Sequence, residues 1–211
     1  MDHRDHVDLL RPADLPAGGD WADLGAGSGA FTLALRELVG AEAAIYAVDR
    51  DRRRLEELEG AWRPRFGGLM NLHLLPADFT GPLDLPSLDG ILMANSLHFF
   101  RDADAQRSGA GERGEGGKTK PKVRGRPRSS ASHLPDKLAV LHHVGSFLKP
   151  GGRLLLVEYN VDSGNIWVPH PLSFETWCRL AVQAGFSRPR LLAVHPSGFL
   201  RGFYSAAAYR L

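Results

Sequence analysis

The chain is poor in sulfur and in long apolar runs. One cysteine, Cys178, stands in 211 residues, which excludes an intramolecular disulfide and any metal site built from several cysteines, and fits a reducing compartment. No segment approaches the roughly 18 apolar residues of a membrane span, and the opening Met1-Asp2-His3-Arg4-Asp5-His6 lacks the apolar run of a signal peptide. A cytoplasmic protein with no membrane partner is expected. The adjacent pair His142-His143 cannot share one helix face, so no metal site follows from it.

A second scarcity is local. Between Arg101 and His133 there is no Leu, Ile, Met, Phe, Tyr or Trp, and only Val123 among the β-branched aliphatics. Such a stretch cannot supply a core and is expected to be disordered. Residues 106–132 read as an insertion, because deleting them leaves a connection of ordinary length. From Arg107 to Ser132 eight basic residues face two acidic ones, a local +6 within a formal total of +2, so the remainder is mildly acidic at −4. A weak polyanion contact is the function this charge offers, although no aromatic side chain is present to stack bases. The plainer expectation is a solvated, dispensable loop.

What is present suits one globular domain over residues 1–211, with 43% hydrophobic residues. The opening, broken by Pro12, Pro16 and Gly18-Gly19, allows a turn or two of helix around Val7 to Leu10, at most a thin lid. Apolar runs then alternate with helical patterns: strands at Trp21–Leu24, Ala43–Val48, Leu69–Leu75, Asp89–Asn95 and Arg153–Tyr159, with helices between them. The helix before the last of these carries Leu134, Leu138, Leu141 and Leu148 and stops at Lys149-Pro150-Gly151-Gly152. Such alternation predicts a parallel α/β sheet with right-handed crossovers. Two final strands, Arg190–Val194 and Phe203–Leu211, are joined too tightly for a crossover helix and are expected to pair antiparallel.

Chemistry concentrates at strand ends, where ligands of such sheets bind. Asp23-Leu24-Gly25-Ala26-Gly27-Ser28-Gly29-Ala30 joins the first strand to an amphipathic helix, and a side chain at Gly25 or Gly27 would block a ligand's approach. The glycines also fit the G-x-G-x-x-A dinucleotide fingerprint. Asp23 would repel a pyrophosphate and attract an ammonium or sulfonium, so the motif alone leaves both readings open. Asp49 ends the second strand, about 20 to 25 residues on, where a carboxylate receives ribose hydroxyls. Asp78-Phe79 offers an acceptor for an adenine amino group beside a stacking plane. Asn95 ends the fourth strand and His98 follows it; imidazole is the side chain that ordinarily titrates near neutral pH, which makes His98 a candidate general base. Glu158 and Tyr159, at the end of the fifth strand, are candidates for the acceptor side.

With these residues in place the chain resembles the class I S-adenosylmethionine-dependent methyltransferases. The resemblance rests on Asp23-Leu24-Gly25-Ala26-Gly27-Ser28-Gly29, Val48-Asp49, Ala77-Asp78-Phe79 and Leu148-Lys149-Pro150-Gly151-Gly152. It implies a Rossmann-like seven-stranded sheet in the order 3-2-1-4-5-7-6 with strand 7 antiparallel, helices on both faces, and S-adenosyl-L-methionine as cofactor. By the same resemblance Asp23 with Gly25, Ala26 and Gly27 would hold the methionine part, Asp49 the ribose, and Asp78 with Phe79 the adenine. Arg50 would cover the adenine face, and Asn95 would stand beside the methionine end. The expected function is methyl transfer to a small-molecule acceptor. The alternatives are a nucleic-acid or protein methyltransferase recruited by the basic insertion, and a non-catalytic protein that binds the cofactor or uses the fold as an interaction surface. Asn95-Ser96-Leu97-His98 stands where enzymes of exocyclic amines carry Asn-Pro-Pro-aromatic, and Cys178 falls inside a helix, away from any nucleophilic role.

Overall fold

The structure, a computed structural model, describes residues 1–102 and 135–211. The basic insertion at 106–132 and the expected helical residue Leu134 lie outside the described residues. Seven strands, β1 (Asp20–Leu24), β2 (Ala44–Asp49), β3 (Leu72–Pro76), β4 (Leu88–Ala94), β5 (Leu148–Tyr159), β6 (Arg190–Pro196) and β7 (Gly202–Tyr209), form one sheet in the order β3-β2-β1-β4-β5-β7-β6. Neighbours from β3 to β5 run parallel, and β7 runs antiparallel to both β5 and β6. This is the expected topology.

Strand alternation divides the core between two faces. Trp21 of β1, Leu92 of β4 and Leu155 and Val157 of β5 face α1 (His3–Leu10), α2 (Ala30–Val39) and α3 (Arg52–Phe66). Ala22, Ile91, Met93, Leu154 and Leu156 face α4 (Lys137–Ser146) and α5 (Phe174–Gln183). Covering on both faces is why β4 and β5 read as continuous apolar runs rather than alternating ones. Among the described residues no helix is long and apolar enough to cross a membrane.

Two departures from the sequence expectation have local causes. The N-terminal segment is a full helix, because Asp2 and Asp5 form a reciprocal capping box at its start. Val7, Leu9 and Leu10 are buried and Ser205 Oγ donates to Leu9 O at 2.5 Å, so α1 is packed into the body rather than laid over it as a lid. Leu148 opens β5 instead of closing α4: it pairs with Leu88, and the register jumps to Gly90 opposite Arg153, so Lys149–Gly152 bulge from the ladder.

Candidate functional site

The carboxyl ends of β1 to β4 open onto a cleft with two lobes. A cavity of about 250 Å³ is lined by Gly25, Asp49, Arg50, Ala77, Asp78, Phe79, Asn95, Ser96, Phe99 and Phe100. A second, of about 580 Å³, shares Gly25, Asp49, Arg50 and Phe99 and adds Asp23, Ala26, Gly27, Phe31 and Arg54 among its walls. Asp23, Gly25, Ala26, Gly27, Asp49, Arg50, Asp78, Phe79 and Asn95 are thereby gathered around two adjoining cavities that share Gly25, Asp49, Arg50 and Phe99.

The glycine loop is held by its neighbours. Gly25 and Ala26 donate their N–H groups to Val48 O at 2.8 and 3.1 Å, and Gly27 donates to Asp49 Oδ2 at 2.8 Å. Asp49 Oδ1 accepts from Asp51 N at 2.8 Å. The glycines therefore offer a ligand close approach and carbonyl oxygens, not N–H donors. Only Gly27 has the steric role expected of both. At Gly25 (φ +84°) a Cβ would meet Ser96 Cβ at 2.6 Å, so this glycine is required by protein packing. At Gly27 (φ +54°) a Cβ would meet nothing within 4 Å, so the space beside it is open to a ligand.

Asp23 lies on the α2 face of β1 and is 1% exposed. Thr32 Oγ1 donates to its Oδ2 at 2.6 Å. Burial pushes its carboxyl up to about 7, against the pull of the Thr32 hydroxyl and helped by the neighbouring Asp49 charge. The carboxyl thus exchanges its proton near neutral pH. Asp78 is exposed and spends Oδ1 on Thr80, accepting from N at 2.9 Å and Oγ1 at 2.7 Å. Phe79 meets Phe100 edge to face at 5.8 Å. Asn95 adopts φ +53°, a conformation that Asn tolerates better than most residues. Its Oδ1 and the Ser96 Oγ are buried with no hydrogen-bond partner among the described residues, both on residues lining the smaller lobe. Orphaned polar atoms in such a wall are acceptors and donors held for something that enters it.

The other part of the rim is built from pairs distant in sequence. His98, 4% exposed, directs Nδ1 to Glu158 at 2.9 Å, and Glu158 is fully buried and also accepts from Tyr159 N at 3.0 Å. A carboxylate partner selects the tautomer with the proton on Nδ1, leaving the lone pair on Nε2, which no described residue engages. Tyr159 stands 6.4 Å from the His98 ring, centroid to centroid, and burial, with the Glu158 charge, raises its phenol above the ordinary range. The loop after β5 is tied to His98 by His170 N donating to its carbonyl at 3.0 Å. Fully buried Lys137 fastens the base of this region: its N–H donates to Arg101 O at 2.8 Å and its Nζ to Asp102 Oδ1 at 3.0 Å and Pro171 O at 3.5 Å.

No family model matches this sequence, and no curated protein is similar to it in sequence. The structure is similar to that of many solved chains. A SAM-dependent methyltransferase from Aquifex aeolicus superposes with a TM-score of 0.62 at 18% identity, over 100% of this chain and 95% of that one. The magnesium protoporphyrin IX methyltransferase of Synechocystis PCC 6803, solved with bound SAM, gives 0.60 at 15% over 100% and 80%. The mitomycin 7-O-methyltransferase MmcR gives 0.63 at 16%, over 98% of this chain and 53% of that one, so this chain spans about half of that protein's length.

The fold is that of the class I methyltransferases. Within that fold several lining residues escape a reading by motif. Phe99, which touches both lobes, and Ser96 and Phe100 follow Asn95 in a stretch whose only local signal is the clustering of aromatics after a strand end. The class I methyltransferase motifs likewise do not announce the His98–Glu158 pair, since its members are 60 positions apart.

Proposed function

We propose that this chain is an S-adenosylmethionine-dependent methyltransferase acting on a small-molecule acceptor. One observation carries the choice of cofactor. The N–H groups of Gly25, Ala26 and Gly27 are spent on Val48 O and Asp49 Oδ2, and the carboxyl groups of Asp23 and Asp49 flank the loop. A cleft of that polarity favours a cation and disfavours a phosphate. The solved neighbour with bound SAM supports the same class of ligand.

Bound there, the cofactor supplies a methyl group activated on a sulfonium. The chain's own residues bind and orient it. Asp23 receives the ammonium, and the open face at Gly27 admits the methionine part. Asp49 keeps lone pairs for ribose hydroxyls while holding the loop. Asp78 keeps Oδ2 for the adenine amino group, Phe79 and Arg50 cover the base, and Asn95, with the orphaned Ser96 oxygen next to it, stands beside the methionine end. His98 takes the acceptor's proton on Nε2, with Glu158 holding the ring in the required tautomer.

The test is binding. S-adenosylhomocysteine at about 100 times its dissociation constant should raise stability by about 2.7 kcal/mol in thermal unfolding, and NAD should not. A shift with NAD and none with S-adenosylhomocysteine would overturn the proposal.

A further inference from the structure

Beyond the cofactor cleft the rim continues as a row of rings. Phe99 is 54% exposed and reaches both lobes. Its centroid lies 4.4 Å from that of His98, tilted by 50°. His98 stands 6.4 Å from Tyr159. Tyr159 packs on Phe203 at 4.2 Å and stands 6.1 Å from Phe199, tilted by 58°, and Phe199 is 51% exposed. The row thus runs from β4 across β5 to the tip of the β6–β7 hairpin, with open phenyl rings at both ends and the buried His98–Glu158 pair in its middle.

Two features of this row select a ligand. Large exposed aromatics that do not stack face to face on one another leave faces and edges for a flat ring, since aromatic pairs prefer tilted or offset contacts. A histidine whose Nδ1 proton is fixed by a buried carboxylate presents the Nε2 lone pair, which suits an acceptor that must give up a proton. We propose that the row from Phe99 to Phe199 is the acceptor subsite, and that it takes a small, flat conjugated ring carrying an ionisable hydroxyl group. The ring lies along this row with its hydroxyl group at His98; its O–H bond breaks as the proton passes to His98 Nε2, and the oxygen keeps the electron pair. This inference rests on the methyltransferase reading, because only that reading makes the neighbouring cleft a donor site.

The matched probes are 2-naphthol, which is flat and acidic, and decahydro-2-naphthol, which has the same skeleton without conjugation. S-adenosylhomocysteine is titrated first by calorimetry, and each probe is then titrated into the loaded protein. 2-Naphthol is expected to bind about tenfold more tightly than its saturated counterpart. Its bound spectrum should carry the naphtholate band, which Glu158→Gln diminishes while ring binding persists. Phe199→Ala, at an exposed position outside both lobes, should weaken 2-naphthol about fivefold and leave S-adenosylhomocysteine affinity unchanged. Failure of S-adenosylhomocysteine to bind would overturn the cofactor reading beneath this inference. Its binding together with equal affinities for the two probes, or with no loss in Phe199→Ala, would overturn the acceptor class alone.

Discussion

The two parts of the rim are held together at different distances along the chain. On the cofactor side, Asp49 bonds Gly27 and Asp51, Asp78 bonds Thr80, and Asp23 bonds Thr32, all within 22 positions. On the acceptor side, Lys137 reaches Asp102 across 35 positions and His98 reaches Glu158 across 60. Local bonds preshape a loop that a ligand enters, whereas distant bonds join separate elements into a wall. Damage to the first should therefore act on cofactor binding and local folding together, and damage to the second on chemistry with the cofactor still bound.

The largest expected effect lies in the glycine loop, where the two roles can be separated. Gly25→Ala forces a left-handed residue to carry a Cβ and drives that carbon against Ser96. Strain and overpacking together should cost about 3 kcal/mol, seen as a fall in Tm of roughly 6–12 °C. Gly27→Ala meets no neighbour, so its cost should be confined to about 1 kcal/mol of backbone strain, while its methyl group enters the cleft and abolishes S-adenosylhomocysteine binding in calorimetry. Equal losses of stability in the two variants would show that Gly25 does not have the packing role assigned to it.

A smaller effect is expected across the long pair. Glu158→Gln keeps the shape and an acceptor for Nδ1 but removes the charge that stabilises a protonated His98. Turnover of an acidic acceptor should drop about 100-fold, with S-adenosylhomocysteine affinity and Tm retained. Loss of cofactor binding in this variant would erase the distinction between the two sides.

The same contrast governs what could be read in advance. The parallel sheet, the cleft-lining carboxylates and the terminal hairpin are legible because each depends on alternation and on residues adjacent to a strand end, whereas the strand order is legible only through the resemblance that the motifs carry. The breakers Pro12 and Pro16 govern a reading of the N-terminus, whereas the reciprocal cap of Asp2 and Asp5 starts the helix at His3, so α1 is longer and better packed than its punctuation suggests. The Glu158 partner of His98 was not legible: both residues mark strand ends, but only the β4–β5 register brings them within 2.9 Å. The reason for Gly25 was equally hidden, since Ser96, its close neighbour, lies on a different strand's loop.

The smallest effect tests the cofactor side by proton linkage. Burial raises the folded Asp23 carboxyl from 3.8 to about 7, so the empty folded protein binds this proton more tightly than the unfolded chain does. Its contribution to stability is therefore present at low pH and lost as the pH rises from about 4 to about 7. Ligand binding has the opposite sign, because an ammonium needs the ionised carboxylate and must expel the proton below pH 7. Affinity for S-adenosylhomocysteine should rise about tenfold per pH unit up to about 7 and then level off. Asp23→Asn should flatten that slope. Thr32→Val removes the hydroxyl that donates to Asp23 and holds its pKa down, so the level region should begin at higher pH. Calorimetric titrations at a series of pH values measure the slope and its end point. A break that stays fixed in Thr32→Val, or a slope that persists in Asp23→Asn, would assign the proton to another group in the cleft.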